Sequence, residues 1–154
     1  MKIAKVCFTG PRKIDRSQSI IIAKYLTPYI NLFCDRYDKS EFHVGDAHGV
    51  DECIKNLLFS MRLVPTIHIV ENKSDKTSYA KRSMEMVDSC SDCHKSMIFG
   101  FPNKNCPDKI TLKDPFCGSG SGTWATLAYA KSKNIFQLNI SPLSSIELPS
   151  WINI

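Results

Sequence analysis

Residues 3–10 read IAKVCFTG. After Lys5 the run is almost entirely apolar until it ends in Thr-Gly, which is typical of a strand buried in the middle of a parallel sheet. Four further short runs are rich in β-branched or aromatic residues and are bounded by Gly, Pro, Asn or Asp, so they also predict strands. They are EFHVG (41–45), PTIHIVEN (65–72), SMIFGF (96–101) and IFQLNI (135–140).

Segments with helical spacing of apolar residues separate these runs. They cover residues 17–37, 50–63, 78–89 and 123–133. Strict alternation of strands and helices favours right-handed βαβ units and hence a parallel sheet with helices on both faces. The sequence therefore predicts a single α/β domain over residues 1–154, a Rossmann-like three-layer sandwich of about five parallel strands. Pro28 lies inside the first helical segment and predicts a kink or a break there.

Composition and charge narrow the class of protein. The chain is 43% hydrophobic and 23% charged, which is ordinary for a globular domain of 154 residues. No apolar run approaches the roughly 20 residues of a membrane span. The first ten residues lack the cleavage site of a signal peptide, so we expect a cytoplasmic protein without a membrane partner. The net charge of +5 is scattered along the chain, which makes nucleic acid an unlikely partner and suits an anionic small molecule.

Cysteines and histidines inside the predicted elements are expected to be structural. The chain has seven cysteines, an odd number that predicts free thiols in a cytoplasmic protein. Cys7, Cys34 and Cys53 lie in apolar periodic segments, where a cysteine most simply acts as a small buried hydrophobe. His43 and His68 lie in strand patterns and are expected to be satisfied core or face histidines.

A second group of cysteines carries a weak metal signal. Cys90, Cys93 and His94 form a CxxCH string, and Cys106 and Cys117 follow it. Haem attachment through such a string requires export, which we do not expect here. A zinc site has enough ligands, but the second pair lacks the short spacing of strong zinc sites. We therefore expect no metal and no other cofactor. The simplest interpretation is that these cysteines are thiols in a helix end and a loop.

Two glycine-containing segments fall where ligands bind in open α/β sheets, beyond the carboxyl ends of strands. TGPR (9–12) follows the first strand and supplies Arg12, whose guanidinium can pair with a phosphate or carboxylate, or be a solvated side chain on a surface turn. GSGSGT (118–123) precedes the last predicted helix. It is either a phosphate cradle or a flexible loop ending in an ordinary N-cap. It lacks the lysine of a Walker motif, and no GxGxxG follows the first strand.

A third segment, GDAHGVD (45–51), follows the second predicted strand. Its two glycines let the chain turn while backbone lines a pocket. Asp51 lies in the first turn of the next helix, where a carboxylate suits the helix dipole. Asp46 or His48 could face a ribose hydroxyl or a base.

Together these segments resemble a known family. FTGPR, VGDAHGVDECI, KRSMEMVDSCSD and GSGSGTWATLAYAKSKNI are similar, in order and spacing, to the YspA-like branch of the SLOG superfamily, which includes the Lonely Guy phosphoribohydrolases and DNA-processing protein A. The resemblance implies a Rossmann-like fold that binds nucleotide-derived ligands, with phosphates at the turn before the last helix. Some members act on NAD-derived and ADP-ribose-like molecules in conflict between bacteria and their viruses. By position, the resemblance implies ligand binding by Gly10, Arg12, Gly45, Asp46, Gly49, Asp51, Arg82, Gly118, Ser119, Gly120, Ser121, Gly122 and Thr123.

One departure from the family bears on catalysis. The hydrolases follow their glycine turn with a glutamate, whereas WATL (124–127) stands here, with no carboxylate on that helical turn. Asp46 and Asp51 remain candidates for proton transfer, with Asp88 a further substitute. We therefore expect a sensor or sequestering protein for an NAD-like, ADP-ribose-like or cyclic nucleotide signal. Nucleotide N-glycosidic hydrolysis and binding of single-stranded DNA are the alternatives.

Two expectations concern packing. Trp124, next to the glycine turn, is expected either to stack on a base or to pack in the core. Relatives of this fold commonly form dimers, so we expect a homo-oligomer. The tail LPSWINI (148–154) is expected to pack either on the domain or on a partner subunit.

Overall fold

The strand at the centre of the sheet is the one predicted from the apolar run at the N-terminus. The computed structural model describes residues 1–118 and 120–153. The strands in this part of the chain are β1 (Ile3–Thr9), β2 (Lys39–Gly45), β3 (Thr66–His68), β4 (Lys95–Gly100) and β5 (Phe136–Ile140). All neighbouring pairs are parallel, and the order across the sheet is β3-β2-β1-β4-β5. Because β1 has a strand on each side, its apolar side chains between Ala4 and Phe8 are buried on both faces of the sheet.

Helices cover both faces of this sheet, as predicted. Within the described residues the α-helices are α1 (Arg16–Arg36), α2 (Val50–Ser60), α3 (Lys76–Ser89) and α4 (Gly122–Ser132). On one face α1 and α2 pack over Val6 and Phe8, and on the other α3 and α4 pack over Cys7 and Ile98. The chain is thus a Rossmann-like three-layer α/β sandwich. None of the described helices is both long enough and apolar enough to cross a membrane.

Of the kink or break predicted at Pro28, the break is wrong, because α1 continues through the proline from Arg16 to Arg36. The helix begins with a capping box in which the Asp15 side chain accepts from the Gln18 N–H at 2.8 Å and the Gln18 side chain accepts from the Asp15 N–H at 3.0 Å. Leu26 and Ile30 are buried on either side of the proline. Tertiary packing on both sides of Pro28 therefore outweighs its local helix-breaking tendency.

The expected burial of cysteines holds for only part of the set. Cys7 is fully buried and Cys53 is half-buried, but Cys34 is exposed, so that prediction is wrong. The buried stripe of α1 includes Ile30 and Phe33. Cys34 follows Phe33 by one residue, and one residue rotates the side chain by about 100° around a helix. The apolar run at this point of the sequence therefore extends around the helix beyond its buried face.

The C-terminal tail packs on its own chain, one of the two expected positions. Trp151 lies in a short 3-10 helix (Ser150–Asn153) and is 7% exposed. Its ring meets that of Trp124 edge-on, with centroids 5.9 Å apart. Trp124 is completely buried and donates from Nε1 to the carbonyl of Lys104 at 2.8 Å. Trp124 is therefore a core residue, and its ring has no free face for a base.

Candidate functional site

The carboxyl edge of the sheet contains the point where the order of strands reverses. The chain moves from β1 to β2 on one side, and later returns to place β4 on the other side of β1. Ligands of open α/β sheets bind in the crevice outside the carboxyl ends of the strands at such a point. TGPR begins at the last residue of β1, and GDAHGVD begins at the last residue of β2. The helix α4 begins at this same edge because it leads back into parallel β5.

The loops after β1 and β2 are packed against each other. The Val50 N–H donates to the carbonyl of Pro11 at 3.1 Å. Gly49 adopts a φ of 75°, and a Cβ atom there would lie 2.6 Å from the carbonyl oxygen of Arg12. A Cβ atom at Gly10 would lie 2.6 Å from the Cβ of Val50. Glycine at these two positions is thus required by the close approach of the loops.

Behind these loops, Arg82 of α3 forms an ion-pair cluster with the two predicted aspartates. Its Nη1 lies 2.9 Å from Oδ1 of Asp46 and 3.8 Å from Oδ2 of Asp51, and the three side chains are 11%, 17% and 9% exposed. The other oxygen of Asp46 accepts from the Val70 N–H at 3.1 Å. A Cβ atom at Gly45 would lie 2.6 Å from Oδ2 of Asp51. Four predicted site residues therefore come together, and the charges of Arg82, Asp46 and Asp51 face one another.

Asp51 is the most strongly perturbed carboxyl group of this cluster. Burial raises its pKa to about 6, although the charge of Arg82, the Ala47 N–H and the more distant charge of Arg12 all act to lower it. The Ala47 N–H donates to Oδ2 of Asp51 at 3.2 Å. A carboxyl group with this pKa exchanges its proton near neutral pH, which is the property required of a general acid or base.

Arg12 is an exposed cation held in place by an aromatic ring that the sequence reasoning missed. Its guanidinium carbon lies 4.3 Å from the centre of the Tyr79 ring, which is a cation–π contact. The Tyr79 hydroxyl donates to the carbonyl of Lys73 at 3.1 Å. Within residues 1–118 and 120–153, no ion pair involves Arg12. No local pattern marks Tyr79, because its partner lies 67 positions earlier in the chain.

The glycine turn before α4 is open. Gly118 and Gly120 have φ angles of 78° and 85°. For these two residues and for Gly122, no described atom lies within 4 Å of where a Cβ would be. Lys104 approaches the turn from the preceding loop and donates to the Gly120 carbonyl at 3.4 Å. Ser119, also predicted to bind ligand, lies outside the described residues. These glycines leave space for a ligand to approach the backbone closely.

The start of α4 is capped by a serine of the same turn. Ser121 is the N-cap, and its hydroxyl accepts from the Trp124 N–H at 3.4 Å. The first N–H groups of a helix have no partner within the helix. Those of Gly122 and Thr123 meet no acceptor among the described residues. The N-terminus of α4 thus combines two N–H donors with the positive end of the helix dipole, an arrangement that binds anions.

Two other groups of predicted residues lie apart from this arrangement. The His48 side chain, in the loop before α2, is 92% exposed and pairs with Glu52 of that helix at 3.3 Å. Of the weak metal candidates, Cys90 is buried, the Cys93 sulfur contacts the carbonyl of Lys95, and His94 is exposed. In the part of the chain that the structure describes, no group of three or more potential ligand side chains is arranged to hold a metal ion.

No family model, curated protein or solved structure matches this chain. Membership of the SLOG superfamily therefore stays a prediction from the sequence motifs. Those residues carried over by the resemblance that the structure describes lie at one edge of the sheet. Only some of them face open space.

Proposed function

We propose that this protein binds a nucleotide-derived small molecule at the carboxyl edge of the sheet and acts as a sensor or sequestering protein. The observation in favour is that the same edge, at the reversal between β1 and β4, carries two separate groups suited to anions. One is the exposed guanidinium of Arg12, stacked on Tyr79. The other is the N-terminus of α4, preceded by open glycines. A phosphorylated ligand suits both.

The two groups would recognise a phosphate in different ways. Arg12 offers a planar pair of N–H donors and a permanent charge. The turn at Gly120 and Gly122 offers backbone N–H groups without steric hindrance from side chains. A ligand with a diphosphate, or with two separate phosphates, provides acceptors for both. NAD-like and ADP-ribose-like molecules, cyclic ADP-ribose included, contain a diphosphate, and they are among the ligands that the motif resemblance implies.

The first experiment identifies the ligand. The purified protein is incubated with pooled NAD, ADP-ribose, cyclic ADP-ribose isomers and nucleoside monophosphates, then washed and denatured, and the released compounds are identified by mass spectrometry. We expect one compound to be retained intact, and a titration with that compound to saturate. Absence of saturable binding across the whole panel would contradict the proposal.

Two neighbouring substitutions then locate the site. Arg12→Ala and Lys13→Ala each remove one positive charge from adjacent exposed positions. We expect only Arg12→Ala to weaken binding, by about 10- to 150-fold, because hydrogen bonds to charged groups contribute about 1.5–3 kcal/mol. Equal losses in both variants would indicate general attraction of anions, and would argue against a site at Arg12.

Hydrolysis of a nucleotide N-glycosidic bond is a second candidate, favoured by one observation. Asp51 has a pKa of about 6, so it can hold or release a proton near neutral pH. Free base would then accumulate during incubation, and Asp51→Asn or Asp46→Asn would abolish its release. Intact recovery of the bound compound after prolonged incubation would exclude this activity.

A further inference from the structure

A cluster of polar and thiol side chains lies on the face of the sheet covered by α3. Lys5 pairs in register with Glu41, and Cys7 with His43. Because side chains alternate along a strand, residues two apart lie on the same face, so these four share one face of the sheet. The end of α3 covers them, since the Ser89 carbonyl accepts from Nζ of Lys5 at 3.4 Å.

Cys90 brings a second thiol to this cluster. It follows the last residue of α3, and its carbonyl accepts from the Ser96 hydroxyl on β4 at 2.6 Å. Lys5 and Ser96 are register partners on β1 and β4, and they contact the carbonyls of Ser89 and Cys90, so the end of α3 that carries Cys90 lies over these two strands. Cys7 and Cys90 are both 0% exposed and belong to the same core cluster. The Cys7 thiol and the His43 ring are the side chains that most lower the pKa of the Cys90 thiol, which indicates that both lie beside it.

The surroundings of the two sulfurs differ in charge. His43 is 4% exposed, its Nε2 lies 3.1 Å from Oε1 of Glu41, and its Nδ1 lies 2.9 Å from Nε2 of His68. Burial acts to lower the pKa of His43, but contacts with Cys90 and Glu41 outweigh burial and raise it. Hydrogen bonding from Cys7, aided by His43 and against the effect of burial, lowers the pKa of Cys90 to about 6. Burial raises the pKa of Cys7 well above its usual value.

We propose that Cys7 and Cys90 are a site of reversible oxidation, at which a hydroperoxide converts the two thiols into an intramolecular disulfide. The Cys90 thiolate attacks the peroxide, the O–O bond breaks, and the leaving oxygen takes up a proton, which leaves a sulfenic acid on Cys90. The Cys7 sulfur then attacks that of Cys90, the S–O bond breaks, and the proton of Cys7 leaves with the hydroxide as water. Hydrogen peroxide would thus oxidise two thiols to one disulfide and yield two waters.

The competing thiols lie in different surroundings. Cys93 is half-buried, and its sulfur lies 3.4 Å from the Ser96 hydroxyl and 3.5 Å from the Cys90 carbonyl. Cys34 is exposed and lies on α1, on the other face of the sheet. Because Cys7 and Cys90 are buried, an oxidant reaches them only when the turn after α3 opens. We therefore expect oxidation by the peroxide to be slow. The disulfide should form between Cys7 and Cys90 because they are neighbours, although other thiols are more exposed.

The test maps the product in the wild-type protein. The folded protein is treated with hydrogen peroxide, unfolded, alkylated and digested, and the peptides are identified by mass spectrometry. We expect one peptide pair that links Cys7 to Cys90, lighter by two hydrogens than the two free peptides and separated again by dithiothreitol. Alkylation of both residues after oxidation, or a link between Cys90 and Cys93, would overturn the proposal.

Variants provide matched controls. Cys34→Ser and Cys93→Ser each remove one thiol outside the pair and should leave the link in place. Cys7→Ser and Cys90→Ser should each abolish it. Because serine at either buried position can prevent folding, the wild-type peptide map remains the deciding measurement.

Discussion

Asp51→Asn should change how the stability of this protein depends on pH. The wild-type Asp51 side chain is 9% exposed and its carboxyl has a pKa of about 6, raised from 3.8 mainly by burial. The folded state therefore holds this proton more tightly than the unfolded state does. The stabilising contribution is complete below the unfolded pKa of 3.8 and is lost as pH rises through 6. Asparagine cannot ionise, and its amide oxygen can still accept from the Ala47 N–H.

The size of the effect follows from the difference between the two pKa values. One pKa unit corresponds to about 1.4 kcal/mol, so the shift amounts to about 3 kcal/mol in the free energy of unfolding. Because pH 4 still lies above the unfolded pKa of 3.8, the wild-type protein should lose less than this total, about 2 kcal/mol, relative to Asp51→Asn between pH 4 and pH 7.5. Burial and the charges of His43 and Arg82 lower the pKa of His68 to about 4. The stability that the low pKa of His68 provides is lost as pH falls from about 6.5 towards 4. Both proteins contain His68, so this loss cancels when their free energies of unfolding are compared.

Urea unfolding at several pH values measures this difference, with the fluorescence of the buried Trp124 and Trp151 as the signal. Glu52→Gln is the matched control, because Glu52 is the next residue of the same helix and its side chain is 52% exposed. The control should follow the wild-type pH profile. If the free energies of unfolding of wild type and Asp51→Asn changed in parallel with pH, the raised pKa of Asp51 would be refuted.

Three further predictions concern the edge of the sheet. Gly122→Asp should keep the fold but weaken binding of a phosphorylated ligand by about 4- to 150-fold relative to Gly122→Asn. The reason is that two like charges about 5 Å apart repel by about 0.8–3 kcal/mol. Equal affinities of the two variants in a ligand titration would argue against a phosphate at this position. Tyr79→Ala should weaken binding as Arg12→Ala does, whereas Tyr79→Phe should retain it, and isothermal titration compares them. Gly49→Ala should lower stability more than Gly120→Ala in urea unfolding, because both have positive φ but a Cβ meets backbone only at Gly49.

Sequence periodicity predicted the architecture, because burial imposes local patterns. The apolar run at residues 6–8 is buried in β1, and the alternation of strands and helices predicted a parallel sheet with helices on both faces. Glycine patterns also located the turns after β1 and β2 and before α4. The strand and helix patterns repeat every two or about 3.6 residues, so each element can be recognised within a single segment of the sequence. The break expected at Pro28 failed because its neighbours are buried by residues distant in sequence.

Tertiary structure alone decided which side chains meet. Arg82 meets Asp46 across 36 positions, Tyr79 lies beneath Arg12, and Cys90 lies over β1 beside Cys7. These contacts depend on strand order, register and the seating of α3, none of which is encoded within one segment. The motifs singled out Arg82, Asp46 and Asp51 but not their mutual pairing, which leaves Arg12 as the exposed cation. The sequence by itself determined where the chain turns and, with exceptions such as Cys34, which faces are buried. Only the packing of those faces determined which charges neutralise one another and which remain free for a ligand.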